Sequence, residues 1–256
     1  MLWTTDLSPA AHLVVLVAGL ISGFVDSIAG GGGLITIPAL LAVGLPPHLA
    51  LGTNKLGSTM GVMTALHRYR GGGLVRVRDW VPGVVCTAAG AAAGTVLIQL
   101  LSAGFLAWLI PALLLAILVY TLASPDLGSQ PVRRRIDRRL FQFVFGLGLG
   151  FHDGFFGPGT GAFWAMALVT LAGLDLRRAT AAAKVMNATS NVVALVFFAL
   201  GGKVVVTVGL ALGAGQIIGA VLGAQQVLRR PPSFVRWFLI GSVALTLIKM
   251  LWERLA

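Results

Sequence analysis

The chain has 256 residues, of which 57% are hydrophobic and only 11% are charged, and its formal net charge is +11. A soluble globule of this size carries roughly 25% charged residues, so the composition excludes a soluble protein and indicates an integral membrane protein. The positive charge then favours basic loops beside anionic lipid over nucleic-acid binding, and the single cysteine, Cys86, excludes an internal disulfide.

Ten apolar helical elements are predicted along the chain, five in each half. They cover residues 11–28, 34–43, 50–66, 80–101, 105–123, 140–151, 163–174, 179–200, 204–227 and 235–251. The second, sixth and seventh have only ten to twelve residues, which is too short to cross a hydrocarbon core of about 30 Å at about 1.5 Å per residue. We therefore predict half-helices or parts of broken helices there, each next to a glycine-rich stretch.

A glycine-rich stretch that follows an acid occurs twice. Residues 26–33 read Asp-Ser-Ile-Ala-Gly-Gly-Gly-Gly, and residues 153–161 read Asp-Gly-Phe-Phe-Gly-Pro-Gly-Thr-Gly. Asp153 lies 127 residues after Asp26, and Lys184 lies 129 residues after Lys55. Acid matching acid is informative because the chain has only eight acidic residues. We predict an internal duplication, with a first transmembrane repeat at 1–125, a basic cytoplasmic linker at 126–139 and a second repeat at 140–256.

Fourteen of the nineteen basic residues fall on one side of the membrane if the elements cross as predicted. They are Arg68, Arg70, Arg76, Arg78, Arg133, Arg134, Arg135, Arg138, Arg139, Arg177, Arg178, Arg229, Arg230 and Arg236. By the positive-inside rule this side is cytoplasmic, and both termini face outward. The loop at 46–48 is uncharged, whereas its counterpart in the second half is basic, which indicates inverted halves. The predicted fold class is an all-α integral membrane protein of two inverted-topology repeats, each with about five helical elements and broken or re-entrant helices at the glycines.

Two lysines fall inside this predicted membrane region, at matched positions of the third and eighth elements. A lysine at mid-membrane depth costs on the order of 2.5 kcal/mol or more, so such residues usually face a cavity or a partner. One interpretation is that Lys55 and Lys184 attract an anionic substrate. The other is that they only neutralise Asp26 and Asp153 and hold the broken helices in place. Both interpretations stay open, and they are compatible.

The glycine stretches are candidate anion cradles. A helix that restarts inside the membrane has unpaired N–H groups and a partial positive charge at its N-terminus, and glycine lets the backbone approach a ligand closely. The candidate binding residues are Gly30, Gly31, Gly32, Gly33, Gly157, Pro158, Gly159 and Thr160. The alternative, close helix packing, does not account for the neighbouring acids and lysines.

Polar side chains surround the two lysines at helical spacing. The candidate substrate-binding residues are Thr53, Asn54 and Ser58 in the first half, and Asn187, Ser190 and Asn191 in the second. The alternative role is helix–helix hydrogen bonding, worth about 0.6 kcal/mol per contact in membranes. His152, beside Asp153, is a candidate proton carrier. We expect no enzymatic activity, metal or cofactor, because no nucleophile with a base and no paired histidines at metal-ligand spacing occur.

Three stretches together resemble the sulfite exporter TauE/SafE family of bacterial inner-membrane permeases. They are residues 23–38, 50–55 and 153–161. The resemblance implies a multi-pass protein of the bacterial cytoplasmic membrane that transports sulfite, a sulfonate or a related organosulfur anion. The partners are then a small anionic substrate and the lipid bilayer, with protons as a candidate coupling ion and no nucleic acid.

The residues themselves indicate only a small anion. A passive anion channel and a transporter of a small carboxylate therefore remain alternatives, whereas the scarcity of catalytic groups disfavours a membrane enzyme or a non-transporting partner. The direction of transport and the oligomeric state do not follow from the sequence.

Overall fold

Helices make up the architecture of the chain. The structure is a computed structural model that describes residues 7–122 and 135–230, except for the side chains of residues 111 and 114–122. Within these residues the helices are α1 (Pro9–Ala29), α2 (Gly33–Ala42), α3 (Pro47–Gly71), a 3-10 turn (Val77–Trp80), α4 (Val81–Leu100), α5 (Ala103–Leu122), α6 (Arg138–Phe155), α7 (Thr160–Thr170), α8 (Leu176–Leu200) and α9 (Val206–Arg229). The predicted tenth element at 235–251, most of the linker at 126–139 and both termini lie outside them.

Long apolar helices alternate with two short ones. In the described part of the chain, α1, the 3-10 turn with α4, α8 and α9 are each long and apolar enough to cross a membrane, at 21, 24, 25 and 24 residues. The helices α2 and α7 are apolar but have only 10 and 11 residues. The prediction of an all-α integral membrane protein is thus confirmed, and the short second and seventh elements are present. The inverted relation of the two repeats stays a prediction.

The predicted limits of the sixth element, 140–151, are wrong, and of the two alternatives it is a part of a broken helix pair and not a half-helix. Helix α6 has 18 residues, Arg138–Phe155, and is about 27 Å long at about 1.5 Å per residue. It starts earlier because the Asp137 side chain caps it, accepting from the N–H of Arg139 at 2.7 Å. It continues past residue 151 because Asp153 is buried with partners inside the protein. Each half therefore begins with a long helix, α1 or α6, which is followed by a short one.

Basic residues extend two helices beyond their predicted limits. The prediction placed Arg68 and Arg70 in a loop, but they lie in the last turn of α3, where cations interact favourably with the helix dipole. Likewise α8 begins at Leu176, so Arg177 and Arg178 belong to its first turn. Hydropathy alone missed these turns because their side chains are charged.

The two halves interlock through pairs of helices. α1 packs along α9 in parallel: a Cβ at Gly19 would lie 2.3 Å from the Leu212 carbonyl oxygen, and one at Gly23 would lie 2.3 Å from that of Gln216. α4 packs in parallel along α6 through glycines in the same way. The first helix of each half thus packs against the fourth helix of the other.

Helices α3 and α8 cross the same interface in opposite directions. Gly52, near the start of α3, contacts Phe198, near the end of α8. Tyr69, near the end of α3, shares a buried cluster with Leu176, the first residue of α8. These directions are the ones expected if the halves are inverted copies of each other.

Candidate anion-binding site

Glycines end the first long helix of each half. Gly30 follows α1 with φ 78°, and Gly157 and Gly159 follow α6 with φ 101° and 79°. Such left-handed conformations are strained for residues that have a Cβ, so glycine allows the chain to turn sharply here. The turn lets α2 and α7 restart immediately, and their N-termini lie beside the ends of α1 and α6.

These two breaks pack directly against each other. The N–H of Ala162 donates to the Gly30 carbonyl oxygen at 3.3 Å, and a Cβ at Gly30 would lie 2.4 Å from the backbone of Gly161. A Cβ at Gly33 would lie 3.0 Å from Pro158. The glycines therefore turn the chain and let two backbones touch between the halves, as the close-packing alternative expects, and the anion cradle stays a prediction.

Lys55 reaches from the first half into the second. Its Nζ lies 2.7 Å from Asp153 Oδ1, and it donates to the Asp153 backbone oxygen at 2.5 Å. The two side chains are only 2% and 4% exposed. The ammonium group thus neutralises the acid and also satisfies a carbonyl in the last turn of α6, where a helix has unpaired oxygens and a partial negative charge.

Lys184 makes the reciprocal contact from the second half into the first. Its Nζ lies 2.7 Å from Asp26 Oδ2 and donates to the Asp26 backbone oxygen at 2.5 Å, in the last turn of α1. Here the lysine is 1% exposed and the acid 19%. The two lysines are therefore exchanged between the halves, and each ion pair joins them.

The two acids differ in their remaining partners. Asp153 Oδ2 accepts from the Ser190 hydroxyl group, so both of its carboxylate oxygens are used. Asp26 Oδ1 accepts only a long hydrogen bond from the Gly32 N–H, at 3.4 Å. The two lysines and two acids sum to zero charge, and the Asp26 side of the site is the less tightly closed one.

A small polar cavity lies among these groups. Its volume is about 30 Å³, room for about two water molecules. It is lined by Asp26, Gly30, Gly33, Asn54, Lys55, Ser58, Val62, Asp153, Gly157, Gly159, Thr160, Gly161, Asn187 and Asn191. All except Val62 and Gly161 were predicted site residues.

Asn187 is a cavity residue with an unpaired hydrogen-bond acceptor. It is 4% exposed, and its amide oxygen has no hydrogen-bond partner among the described residues. A buried polar atom without a partner costs about 1–3 kcal/mol. By contrast, the Asn54 amide oxygen accepts from the Thr36 hydroxyl group at 2.5 Å. The Asn187 amide oxygen is therefore available to accept a hydrogen bond from a molecule inside the cavity.

Several predicted binding residues point elsewhere. The Thr53 hydroxyl oxygen accepts from the Val205 N–H at 2.9 Å, next to the start of α9, and is not part of the cavity wall. The hydroxyl group of Ser190 contacts Asp153 instead of the cavity. His152 Nδ1 lies 2.9 Å from the hydroxyl oxygen of Thr160, a residue of the cavity wall, and its role as a proton carrier stays a prediction.

The remaining predicted residues lie next to the central cavity but not in its wall. Gly31, Gly32 and Pro158 form the breaks but do not line the cavity. Lys184 lines a second cavity of about 10 Å³, which shares Gly30 and Gly161 with the first.

Sequence reasoning missed the residues that hold the first break in shape. The Ser22 hydroxyl group donates to the Gly32 carbonyl oxygen at 3.0 Å, and the Thr36 hydroxyl oxygen lies 3.3 Å from the same oxygen. Both residues are fully buried. The signal was available, because Ser22 lies four residues before Asp26 and therefore on the same face of α1.

Membrane-crossing helices that enclose a buried, charged cavity at broken helices are typical of membrane transporters. The profile of the family described as "Sulfite exporter TauE/SafE" matches residues 15–250, and the chain belongs to this family of membrane transporters. It is 41% identical over 241 residues to a "Probable membrane transporter protein" of Haemophilus influenzae, covering 94% of each chain.

Further relatives have similar names. The chain is 39% identical over 246 residues to "Probable membrane transporter protein YfcA" of Escherichia coli K12, covering 96% of this chain and 91% of the relative. It is 40% identical over 241 residues to "Probable membrane transporter protein ORF9" of a Sinorhizobium species, with 93% and 92% covered. No solved structure matches the chain significantly.

Proposed function

We propose that this protein is a secondary transporter that moves a small anion, sulfite or a sulfonate or related organosulfur anion, across the bacterial cytoplasmic membrane. The observation that carries the proposal is the pair of reciprocal Lys–Asp contacts beside a small polar cavity, which Lys55, Asp153 and Asp26 line. The description of the family supplies the sulfur chemistry, and the similar proteins named above come from bacteria. The Arg-rich loops would then be cytoplasmic.

The charges suggest how an anion is bound and released. In the resting arrangement each ammonium group is neutralised by a carboxylate of the opposite half. An entering anion takes the place of one carboxylate on its lysine, because the lysine can be neutralised by either partner. The N-terminal regions of α2 and α7 supply further polar contacts, whereas the Asn187 amide oxygen is an acceptor and binds only a water molecule or a protonated oxygen of the ligand.

Exchange of partners also couples binding to movement of the halves. Each ion pair bridges the halves, so displacing one carboxylate weakens one of the bridges. Lys55 and Lys184 each lie eight residues after the first residue of antiparallel helices, α3 and α8. The Lys55 pair lines the central cavity and Lys184 lines the smaller one beside it, and opening the two pairs in turn would expose the anion to one side and then to the other.

The small cavity favours a small substrate. A volume of about 30 Å³ admits only a compact oxyanion unless the site widens. The buried Lys55–Asp153 pair in the cavity wall also favours alternating access over a passive channel, because it leaves no open path through the site. A small carboxylate would satisfy the same charges, so the substrate needs a direct test.

The test is anion flux into proteoliposomes that contain the purified protein. A screen of sulfite, sulfonates and small carboxylates, with and without a proton gradient, identifies the substrate and the coupling ion. Saturation and counterflow of labelled anion are expected of a transporter, whereas flux that stays linear with concentration and shows no counterflow would indicate a channel.

Matched lysine variants then test the site. We expect Lys55→Ala and Lys184→Ala to reduce flux strongly, and Lys203→Ala to leave it near the wild-type rate because Lys203 lies outside both cavities. Wild-type flux in both site variants would remove the lysines from the mechanism. His152→Gln tests the proposed proton route, since loss of the gradient dependence with uptake retained is the expected result.

A further inference from the structure

A larger pocket, which we call the basic vestibule, lies apart from the central site. It has a volume of about 530 Å³, and its lining includes Leu74, Arg76, Arg138, Leu174, Arg178 and Ala182. This volume is within the range of sites for small organic molecules, about 300–1,000 Å³. Nothing in the proposed transport mechanism uses it.

Both halves of the chain build the basic vestibule. The connection between α3 and α4 supplies Arg76 and Trp80, whereas α6 supplies Arg138 and Phe141, and α8 supplies Arg178. A molecule bound there would contact both halves at once. Its wall is the interface that has to change if the halves move relative to each other.

The lining combines positive charge with an apolar wall. Three arginines and one aspartate line the pocket, and Asp175 lies 3.4 Å from the Arg178 guanidinium group, so these five residues have a net charge of +1. The apolar surface that stays open is aliphatic, since Leu74 and Leu174 are half-buried, whereas Phe141 and Trp80 are 1% and 8% exposed and lie behind it. Arginine binds planar oxyanions through paired N–H groups, so the charged part and the apolar part of a ligand have separate places.

One of the arginines is already held in position. The guanidinium group of Arg138 donates to the backbone oxygen of Asp79 and lies 5.4 Å from the centre of the Trp80 ring. The Gln142 amide donates to the same oxygen at 3.2 Å. This order reduces the entropy that binding would otherwise cost, and leaves Arg76 and Arg178, both exposed, to contact a ligand.

The basic vestibule ends close to the transport site. Its wall includes Ala182, which precedes Lys184 in α8 by two residues, or about 3 Å of helix rise. Lys184 holds Asp26, the more exposed of the two site acids. A ligand in the vestibule would therefore lie just behind the ion pair that is less tightly closed.

We propose that the basic vestibule is a second binding site, for an organic oxyanion whose charged group binds Arg76 and Arg178 and whose apolar part packs on Leu74 and Leu174. A soluble sulfonate or carboxylate and an anionic lipid headgroup share this chemistry. The site is separate from the central cavity, which is too small for a ring-bearing anion.

Benzenesulfonate is a suitable probe because it carries one oxyanion and one aromatic ring. Its binding to the full chain in nanodiscs of phosphatidylcholine is measured by isothermal titration calorimetry, without any gradient. We expect saturable binding that weakens about tenfold in Arg76→Gln and in Arg178→Gln. Arg70→Gln is the matched control, since it removes one arginine on α3 outside the vestibule and should change the affinity less than twofold.

Nanodiscs that contain phosphatidylglycerol distinguish the two sources of ligand. If anionic lipid is the natural occupant, benzenesulfonate binding falls in these discs and phosphatidylglycerol raises the melting temperature of the wild type but not of Arg76→Gln. If a soluble anion is the occupant, the affinity is the same in both lipids. Absence of binding and of lipid-dependent stabilisation, or an equal loss in Arg70→Gln, would overturn the proposal. Because no flux is measured, these results are independent of the transport assay.

Discussion

Breaking the Lys55–Asp153 pair should lower the stability of the protein, and removing both charges should restore most of that stability. Lys55→Met leaves Asp153 at 4% exposure with no opposite charge. Removal of one partner of a buried ion pair costs about 3–5 kcal/mol, whereas replacing both partners is often neutral. We expect Lys55→Met to lose about 3–5 kcal/mol of unfolding free energy and Lys55→Met/Asp153→Asn to recover most of it.

The second pair supplies an internal comparison. Lys184→Met leaves Asp26 at 19% exposure, so solvent can stabilise part of the uncompensated charge and the loss should be smaller. The assay is equilibrium unfolding in mixed micelles of a mild detergent and sodium dodecyl sulfate, followed by tryptophan fluorescence. A loss below about 1 kcal/mol in Lys55→Met, or no recovery in the double variant, would show that this pair is not a buried link between the halves.

Three further predictions test the packing and the topology. Thr53→Val should lower the unfolding free energy by about 1 kcal/mol while anion flux stays near wild type, because its hydroxyl group serves the start of α9 and not the cavity; a selective loss of flux would return Thr53 to the site. Gly94→Ala should cost about 1–3 kcal/mol, since its Cβ would lie 2.2 Å from a backbone oxygen of α6, whereas Gly148→Ala has open space and should be harmless; equal unfolding midpoints would refute the close α4–α6 contact. Gly71→Cys and Gly104→Cys, in a background without the native cysteine, test whether α4 crosses the membrane, and both positions have space for a side chain. We expect an impermeant thiol reagent to label the two cysteines from opposite sides of the membrane. Labelling of both from the same side would refute the crossing.

The sequence was sufficient for the helical membrane class, the two short helices and most of the cavity wall. Acid, glycines and lysine stand out in an apolar chain because each is costly or conformationally special at that depth. The charge of Asp153 also led to wrong predicted limits for α6, because a hydropathy pattern cannot show that a distant partner neutralises this residue.

Which lysine meets which acid could not be predicted. Lys55 is 98 residues from Asp153, and Lys184 is 158 residues from Asp26, so the pairing depends on how the halves interlock and not on local spacing. The contact of Thr53 could not be predicted for a similar reason, because the residue that it contacts, next to the start of α9, is 152 residues away in the chain. The basic vestibule likewise forms only when the connection before α4 meets α6 and α8.

The central claim is that the exchanged lysines take part in transport and do more than hold the halves together. Uptake of radiolabelled sulfite by proteoliposomes of Lys55→Met/Asp153→Asn tests it most directly, because this variant is expected to fold with near-native stability. The account predicts that its uptake falls to the level of protein-free vesicles while wild type accumulates sulfite. Uptake by the double variant at the wild-type rate would contradict it.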